Sequence, residues 1–346
     1  MEGEINTLLD SAKTIVIIQA DNPDGDSLAS SLALEQILGD MGKNVHLYCG
    51  VDIPGYLRHM DGWDRVTPNL PGKFDLSIIV DTSALSLLEQ LDKTKEINWL
   101  KTKHCIILDH HTSADTTIDF AEVTYTREAV ATGELIYELT HVLGWPRNSQ
   151  ANNFLMMAIL SDSLGLTSEG TSARSIHIVG ELVEQGVSIP AIENMRRQMQ
   201  RKSPELVKYK SSLLNRIQYS DDQRIAYIVI PWEEIEKYSH EYNPSMLVLD
   251  EMRMVNDVCL AIAYKTYPDG RITAKLRANY GSGVASSVAS HFGGGGHPYA
   301  AGFKLTDKRN LNDVIKELIS VASEQLDNLK SQDTDDKPTQ YAYTVS

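Results

Sequence analysis

TIVIIQADNPDGDSLASSLALEQILGDMG, residues 14–42, sets a strand, a tight acidic turn and a helix in immediate succession. Residues 14–19 form an apolar, β-branched run. From 27 to 41, Leu28, Leu32, Ile37, Leu38 and Met41 fall on a helical period, and Gly42 suits the C-terminal cap. A second apolar run at 44–49 closes a βαβ unit. The rhythm continues with strands at 75–80 and 104–108, which predicts a parallel sheet. Helices are expected at 133–143 and at 152–160, the latter apolar enough to be buried.

Beyond residue 188 the pattern becomes long, polar and helical, interrupted only by Pro204. This reading gives a first domain at 1–187, a helical linker at 188–212 and a smaller mixed α/β domain at 213–330. A polar tail at 331–346 is expected to be disordered. Strands are expected at 224–230, 258–265 and 272–277. The basic cluster Arg196, Arg197, Arg201 and Lys202 reads as a solvated helix face.

A chain of 346 residues favours two domains. Its formal charge of −15 argues against a long nucleic-acid duplex as the main ligand, because such binding depends on cations that displace counterions. A small phosphorylated ligand stays compatible with that charge, since a local metal or basic group can outweigh the global field. No apolar stretch has the ~20 residues that span a bilayer. The N-terminus carries acids ahead of its short apolar run, so a cytoplasmic protein with no membrane partner is expected. The three cysteines show no paired spacing.

Three of the four N-terminal strands run into acids: the first into Asp24-Gly25-Asp26, the third into Asp81, the fourth into Asp109-His110-His111. Parallel strands end on one sheet edge, where α/β proteins bind ligands. Asp162 follows the apolar helix. So many carboxylates together repel one another unless something positive sits among them, and a divalent metal is the economical answer. Asp24 and Asp26 can reach neighbouring ions from one turn, with Asp81 between them. Oxygen-rich ligation with imidazole suits Mn²⁺ or Mg²⁺, with iron and cobalt not excluded. Two such ions serve in-line displacement at phosphorus. Any one of these acids taken alone reads equally as a cap or turn.

The blocks NPDGDS (22–27), VDTS (80–83), LDHH (108–111) and LSDS (160–163), in this order, closely resemble the motifs of the DHH phosphoesterase superfamily. GGGGHPYAAGF (293–303) resembles the signature of the DHH-associated C-terminal domain. Within the superfamily the chain looks closest to the stand-alone nanoRNase and pAp phosphatase group. The resemblance implies hydrolysis of short oligonucleotides, dinucleotides such as pApA or cyclic-di-AMP, or adenosine 3′,5′-bisphosphate, by a metal-dependent enzyme that could form a homodimer. It also implies roles: Asp24 on the first metal, Asp26 on the second, Asp81 bridging, His110 and Asp162 completing the second. Asp109 would orient His110, and His111 would face the substrate phosphate.

One position departs from the pattern. The family places a first-metal histidine four residues before the first acid of NPDGD, and Ala20 stands there. Two ions per subunit are therefore expected, with the first site weak. A catalytically weakened nucleotide-binding or regulatory protein is the alternative. In the second domain, Gly294, Gly295 and Gly296 can offer backbone N–H groups to a phosphate and His297 a further donor, although a glycine run serves tight packing equally well. The match at His297, with Arg277 ending the preceding strand, favours phosphate binding there.

Overall fold

The computed structural model describes residues 1–111 and 117–333 and divides into two compact units, Met1–Arg201 and Lys202–Ser346. The first is built on a six-stranded sheet: β1 (Thr14–Ile18), β2 (Asn44–Tyr48), β3 (Val66–Thr67), β4 (Leu76–Val80), β5 (His104–Asp109) and β6 (Val123–Thr126). The order is β3-β2-β1-β4-β5-β6, and every pairing is parallel. The α/β expectation holds, with two more strands than the four read from sequence. β3 has two residues, and β6 has four that alternate between buried and half-buried, so neither produces the continuous apolar run of a central strand.

Alternation along the central strands feeds two layers. Ile15, Ile17, Ile78, Val80 and Ile106 pack beneath the helices Gly25–Asp40, Thr132–Leu143 and Ser149–Asp162. Val16, Ile18, Ile79 and Ile107 face the short helices Glu89–Lys93 and Glu96–Leu100. The helix expected at 152–160 begins three residues earlier because the Asn148 side chain caps it, accepting from Ala151 N at 2.8 Å. Strand order reverses between β1 and β4, which places a switch-point crevice outside their carboxyl ends. The NPDGD and VDTS segments leave from those two ends.

The segment 188–212 is two helices, Ile189–Met199 and Pro204–Leu214. The first belongs to the first unit and the second to the other, each opened by a serine cap, Ser188 and Ser203.

In the second unit a mixed sheet runs through β7 (Gln218–Tyr219), β8 (Ile225–Ile230), β9 (Leu260–Thr266), β10 (Ile272–Ala278), β11 (Gly295–His297) and β12 (Ala300–Leu305). Its order is β11-β12-β10-β9-β8-β7, with β8 and β9 parallel and the other neighbours antiparallel. One face packs on the helices Ala285–His291 and Leu311–Asp333. The last helix extends three residues into the tail expected from Ser331, and the remainder of that tail, 334–346, lies outside the described residues. No helix among the described residues is long and apolar enough to cross a membrane.

Candidate metal centre

Asp26 sits in the first turn of the Gly25–Asp40 helix, fully buried. Its carboxylate accepts from Thr132 N (2.6 Å), Gly133 N (3.1 Å) and Ser30 Oγ (2.8 Å). Two of those donors are orphan amides at the N-terminus of the Thr132–Leu143 helix, whose dipole favours an anion. Gly25 lets the turn close on the end of the Ser149–Asp162 helix: a Cβ there would overlap the Ser161 hydroxyl. That approach brings Asp162 beside Asp26.

His110 follows β5. Its Nδ1 lies 3.0 Å from the Ala129 carbonyl, a contact that makes Nδ1 the donor and leaves Nε2 as the ligating atom. Nε2 is buried, has no hydrogen bond, and lies 3.5 Å from Asp81 Oδ1, 3.5 Å from Asp162 Oδ2 and 4.0 Å from Asp26 Oδ2. Two triads result. Asp26, His110 and Asp162 each offer a ligand atom within 4.8 Å of the others, and so do Asp81, His110 and His111.

Burial pushes the Asp26 carboxyl up to about 7, helped by the Asp162 charge and opposed by His110. Asp81 is held well above the usual range by burial and by the charges of Asp26, Asp24, Asp162 and Asp109. Burial alone would depress His110, but the Asp162 carboxylate and the Asp26 charge lift it to about 9. A buried imidazole nitrogen facing three carboxylates, of which burial makes Asp26 and Asp81 costly to ionise, fits a divalent cation, and the oxygen-rich donor set suits a hard or borderline one.

Asp109 does not orient His110. Its Oδ1 receives His111 N (3.1 Å) and lies 2.7 Å from His111 Nδ1, because a carboxylate at the end of a strand turns most easily to the backbone two residues ahead. Burial works to raise Asp109, yet these contacts and the His111 charge hold it below the ordinary value. His111 is the more exposed imidazole, with 31% of its side chain accessible against 13% for His110.

Asp24 lies in neither triad. It is exposed and caps its own helix, accepting from Ser27 N at 3.0 Å in a reciprocal capping box. Asp21 points elsewhere, accepting from Gln90 N at 2.8 Å. Gln19 is fully buried with neither amide atom hydrogen-bonded. Sequence reading assigned nothing to Thr132, Ser30 or Ala129. The one signal for Thr132 was its place at a predicted helix start.

In the second unit the glycine run is not an open cradle. Gly293 N and Gly294 N donate to the Ser290 and Ala289 carbonyls, closing the Ala285–His291 helix. Gly295, Gly296 and His297 form the edge strand β11 on β12, so only outward amides of that edge remain for a ligand. Gly294 must lack a Cβ because one would overlap the Gly302 carbonyl. Arg277 is half-buried near the end of β10, where it pairs in register with Ala300 of β12.

A carboxyl held above its unfolded value keeps, in the fold, a proton that the unfolded chain has released. The metal-free protein should therefore lose stability as pH rises from about 4, the unfolded value, to about 7, the folded value of Asp26. His110 acts in the same direction, since its stabilising protonation is lost as pH climbs from its unfolded value through about 9. In chelator, the melting temperature is expected to be lower at pH 7.5 than at pH 5.5, with Mn²⁺ raising it more at pH 7.5. A metal-free melting temperature that climbs over this interval contradicts the account.

In class, then, this is an α/β protein with a centre suited to a divalent metal at its switch point, the arrangement that serves phosphoester hydrolysis. The particular match comes from comparison: the DHH family N-terminal domain matches residues 14–163 and the DHHA1 domain residues 238–324, so the chain carries both domains. Among curated proteins it is similar to the bifunctional oligoribonuclease and PAP phosphatase NrnA of Mycoplasma genitalium, 24% identical over 92% of this chain and 98% of that protein. The Bacillus subtilis protein of the same name is 22% identical over 94% and 99%. The crystal structure of an exopolyphosphatase-related protein from Bacteroides fragilis shares the fold, with a TM-score of 0.83 at 20% identity, covering 95% of this chain and 97% of that one.

Proposed function

We propose that this chain is a divalent-metal-dependent phosphoesterase acting on short oligonucleotides, on dinucleotides of the pApA or cyclic-di-AMP type, or on adenosine 3′,5′-bisphosphate. The observation that carries the reading is the buried Nε2 of His110 facing Asp26, Asp81 and Asp162 at the switch point. The names of the two NrnA relatives, which match nearly end to end, support the substrate class.

Asp26, Asp81, His110 and Asp162 would hold one ion, and Asp24 with Asp81 a second, weaker one. When bound, Mn²⁺ or Mg²⁺ supplies Lewis acidity toward a phosphoryl oxygen and makes water nucleophilic near neutral pH. The Thr132–Leu143 helix start fixes Asp26, and the Ala129 carbonyl fixes the His110 ring. Asp109 holds the His111 ring, which receives the scissile phosphate. Arg277 and His297 take a phosphate in the second unit, where a guanidinium can bind two oxygens at once.

A nucleotide-binding protein with weakened catalysis is the second reading, favoured by Ala20 and by the commitment of Asp21 to Gln90. A panel of pApA, cyclic-di-AMP and pAp separates the two. Product release that needs Mn²⁺ and stops in chelator is expected. Tight binding of these nucleotides with no turnover at any metal concentration would establish the second reading instead.

A further inference from the structure

The second unit's sheet is covered on one face over β8, β9, β10 and β12, and among the described residues the apolar cover of the other face lies over β8 and β9. There Ala226, Ile228, Ala261 and Ala263 pack beneath the helices Pro204–Leu214, Trp232–Tyr238 and Leu249–Arg253. On β10 the same face carries Thr273, Lys275 and Arg277, all half-buried. Register places Lys265 of β9 and Lys304 of β12 opposite Thr273, hence diagonal to Lys275 on either side. Thr273, Lys275, Lys265 and Lys304 line an open groove of about 530 Å³ with Tyr267 and Gly302, and Arg277 follows two residues beyond Lys275 on the same strand face.

For a chain of net charge −15 this is an unusual concentration of cations. Lys265 donates to Asn243 Oδ1 at 2.8 Å, a neutral partner. Burial lowers Lys265 to about 8, and the charge that adds to this effect is Lys275. Burial likewise lowers Lys275, with Arg277 adding to it. Cations are thus the charged neighbours of these lysines, in half-buried positions where like charges repel more strongly than in water. A solvated lysine face would turn its ammonium groups outward to escape that repulsion. A row that keeps them together is arranged for a polyanion.

We propose that Lys275, flanked by Lys265 and Lys304, is a second anion subsite that takes the phosphodiester next to the one at Arg277 in a single-stranded oligonucleotide. Two residues along a strand separate Lys275 from Arg277 by ~7 Å, a reach comparable with one nucleotide of extended backbone. The proposal rests on the reading that Arg277 receives a substrate phosphate. It adds a consequence: affinity should rise when the substrate gains a phosphodiester beyond the dinucleotide.

The test measures binding by the full-length, metal-loaded protein of 5′-phosphorylated di-, tri- and pentaadenylates with phosphorothioate linkages, which keep the charge and slow cleavage. Wild type should bind the trimer and pentamer more tightly than the dimer. Lys275→Ala should remove about tenfold of that preference, the size of one hydrogen bond to a charged group. It should also reduce the slope of log affinity against log salt for the pentamer by about 0.7, one phosphate contact on a single strand. Lys275→Arg, which keeps the charge, should retain the preference. An equal loss for dimer and pentamer, no loss at all, or Arg and Ala variants falling together would overturn the subsite. If wild type binds with this length preference yet hydrolyses none of the unmodified oligonucleotides, the phosphoesterase reading fails and the subsite stands. Hydrolysis without length preference sinks the subsite alone.

Discussion

Asp81→Asn is expected to fold as wild type does and to lose about 10²–10³-fold in turnover, the scale of removing one electrostatic contact from a catalytic centre. Asp81 leaves β4 with φ of 61°, a left-handed conformation that asparagine shares with aspartate more readily than with other side chains. Its Oδ1 accepts from Thr132 Oγ1 at 3.0 Å, which an amide oxygen can also do. The local structure therefore survives the change. Burial and four neighbouring carboxylates raise the Asp81 carboxyl, so a neutral amide relieves repulsion in the metal-free protein. What disappears is the anionic oxygen that stands with His110 and His111, while His110 is shared with Asp26 and Asp162. A metal-free melting temperature at or above that of wild type, together with the fall in turnover, is the expected pair of results. Near wild-type turnover at saturating Mn²⁺ would remove the bridging role.

The central strands and the acids at their ends were legible because both follow from local pattern. Apolar runs such as LSIIV at 76–80 have one reading as buried parallel strand, and the residue after such a strand has one place to go, the shared sheet edge. Strand β6, with VTYT, was not legible, since a half-buried edge of four residues resembles any turn flank. The contacts that aim the site were hidden for a different reason. Asp26 meets Thr132 across 106 positions, and Ala129 meets His110 through a carbonyl that every residue possesses. Asp109 was assigned to the wrong histidine because motif order says nothing about which imidazole a turning backbone presents. The glycine run misled because its amides looked available, whereas Ser290 and Ala289 had already claimed two of them. Sequence shows which donors exist and leaves their partners to the fold.

Ala20→His is expected to lower the metal concentration for half-maximal activity by about 10–100-fold, a change of the size that one contact supporting a metal site makes. Asp26, Asp81, His110 and Asp162 would supply four donors to one ion, a full protein set. The other would have Asp24 and the shared Asp81, and Asp24 Oδ1 already accepts from Ser27 N as a helix cap. Asp21 is turned away, with Oδ2 accepting from Gln90 N and Oδ1 buried against Gly50, in a half-buried position where burial already works against its ionisation. Hard divalent ions accept water in place of missing ligands, so the first-site ion would be weak and not forbidden. Calorimetric titration of unliganded wild type should then show one tight ion and one weak one, with a phosphorothioate dinucleotide tightening the weak one. Ala20 is 6% exposed, so the histidine variant must find room in a packed site. Its melting temperature therefore accompanies the titration, and the wild-type titration decides the matter even if the variant unfolds. Two equally tight ions in unliganded wild type would show that some residue other than the missing histidine already completes the first site.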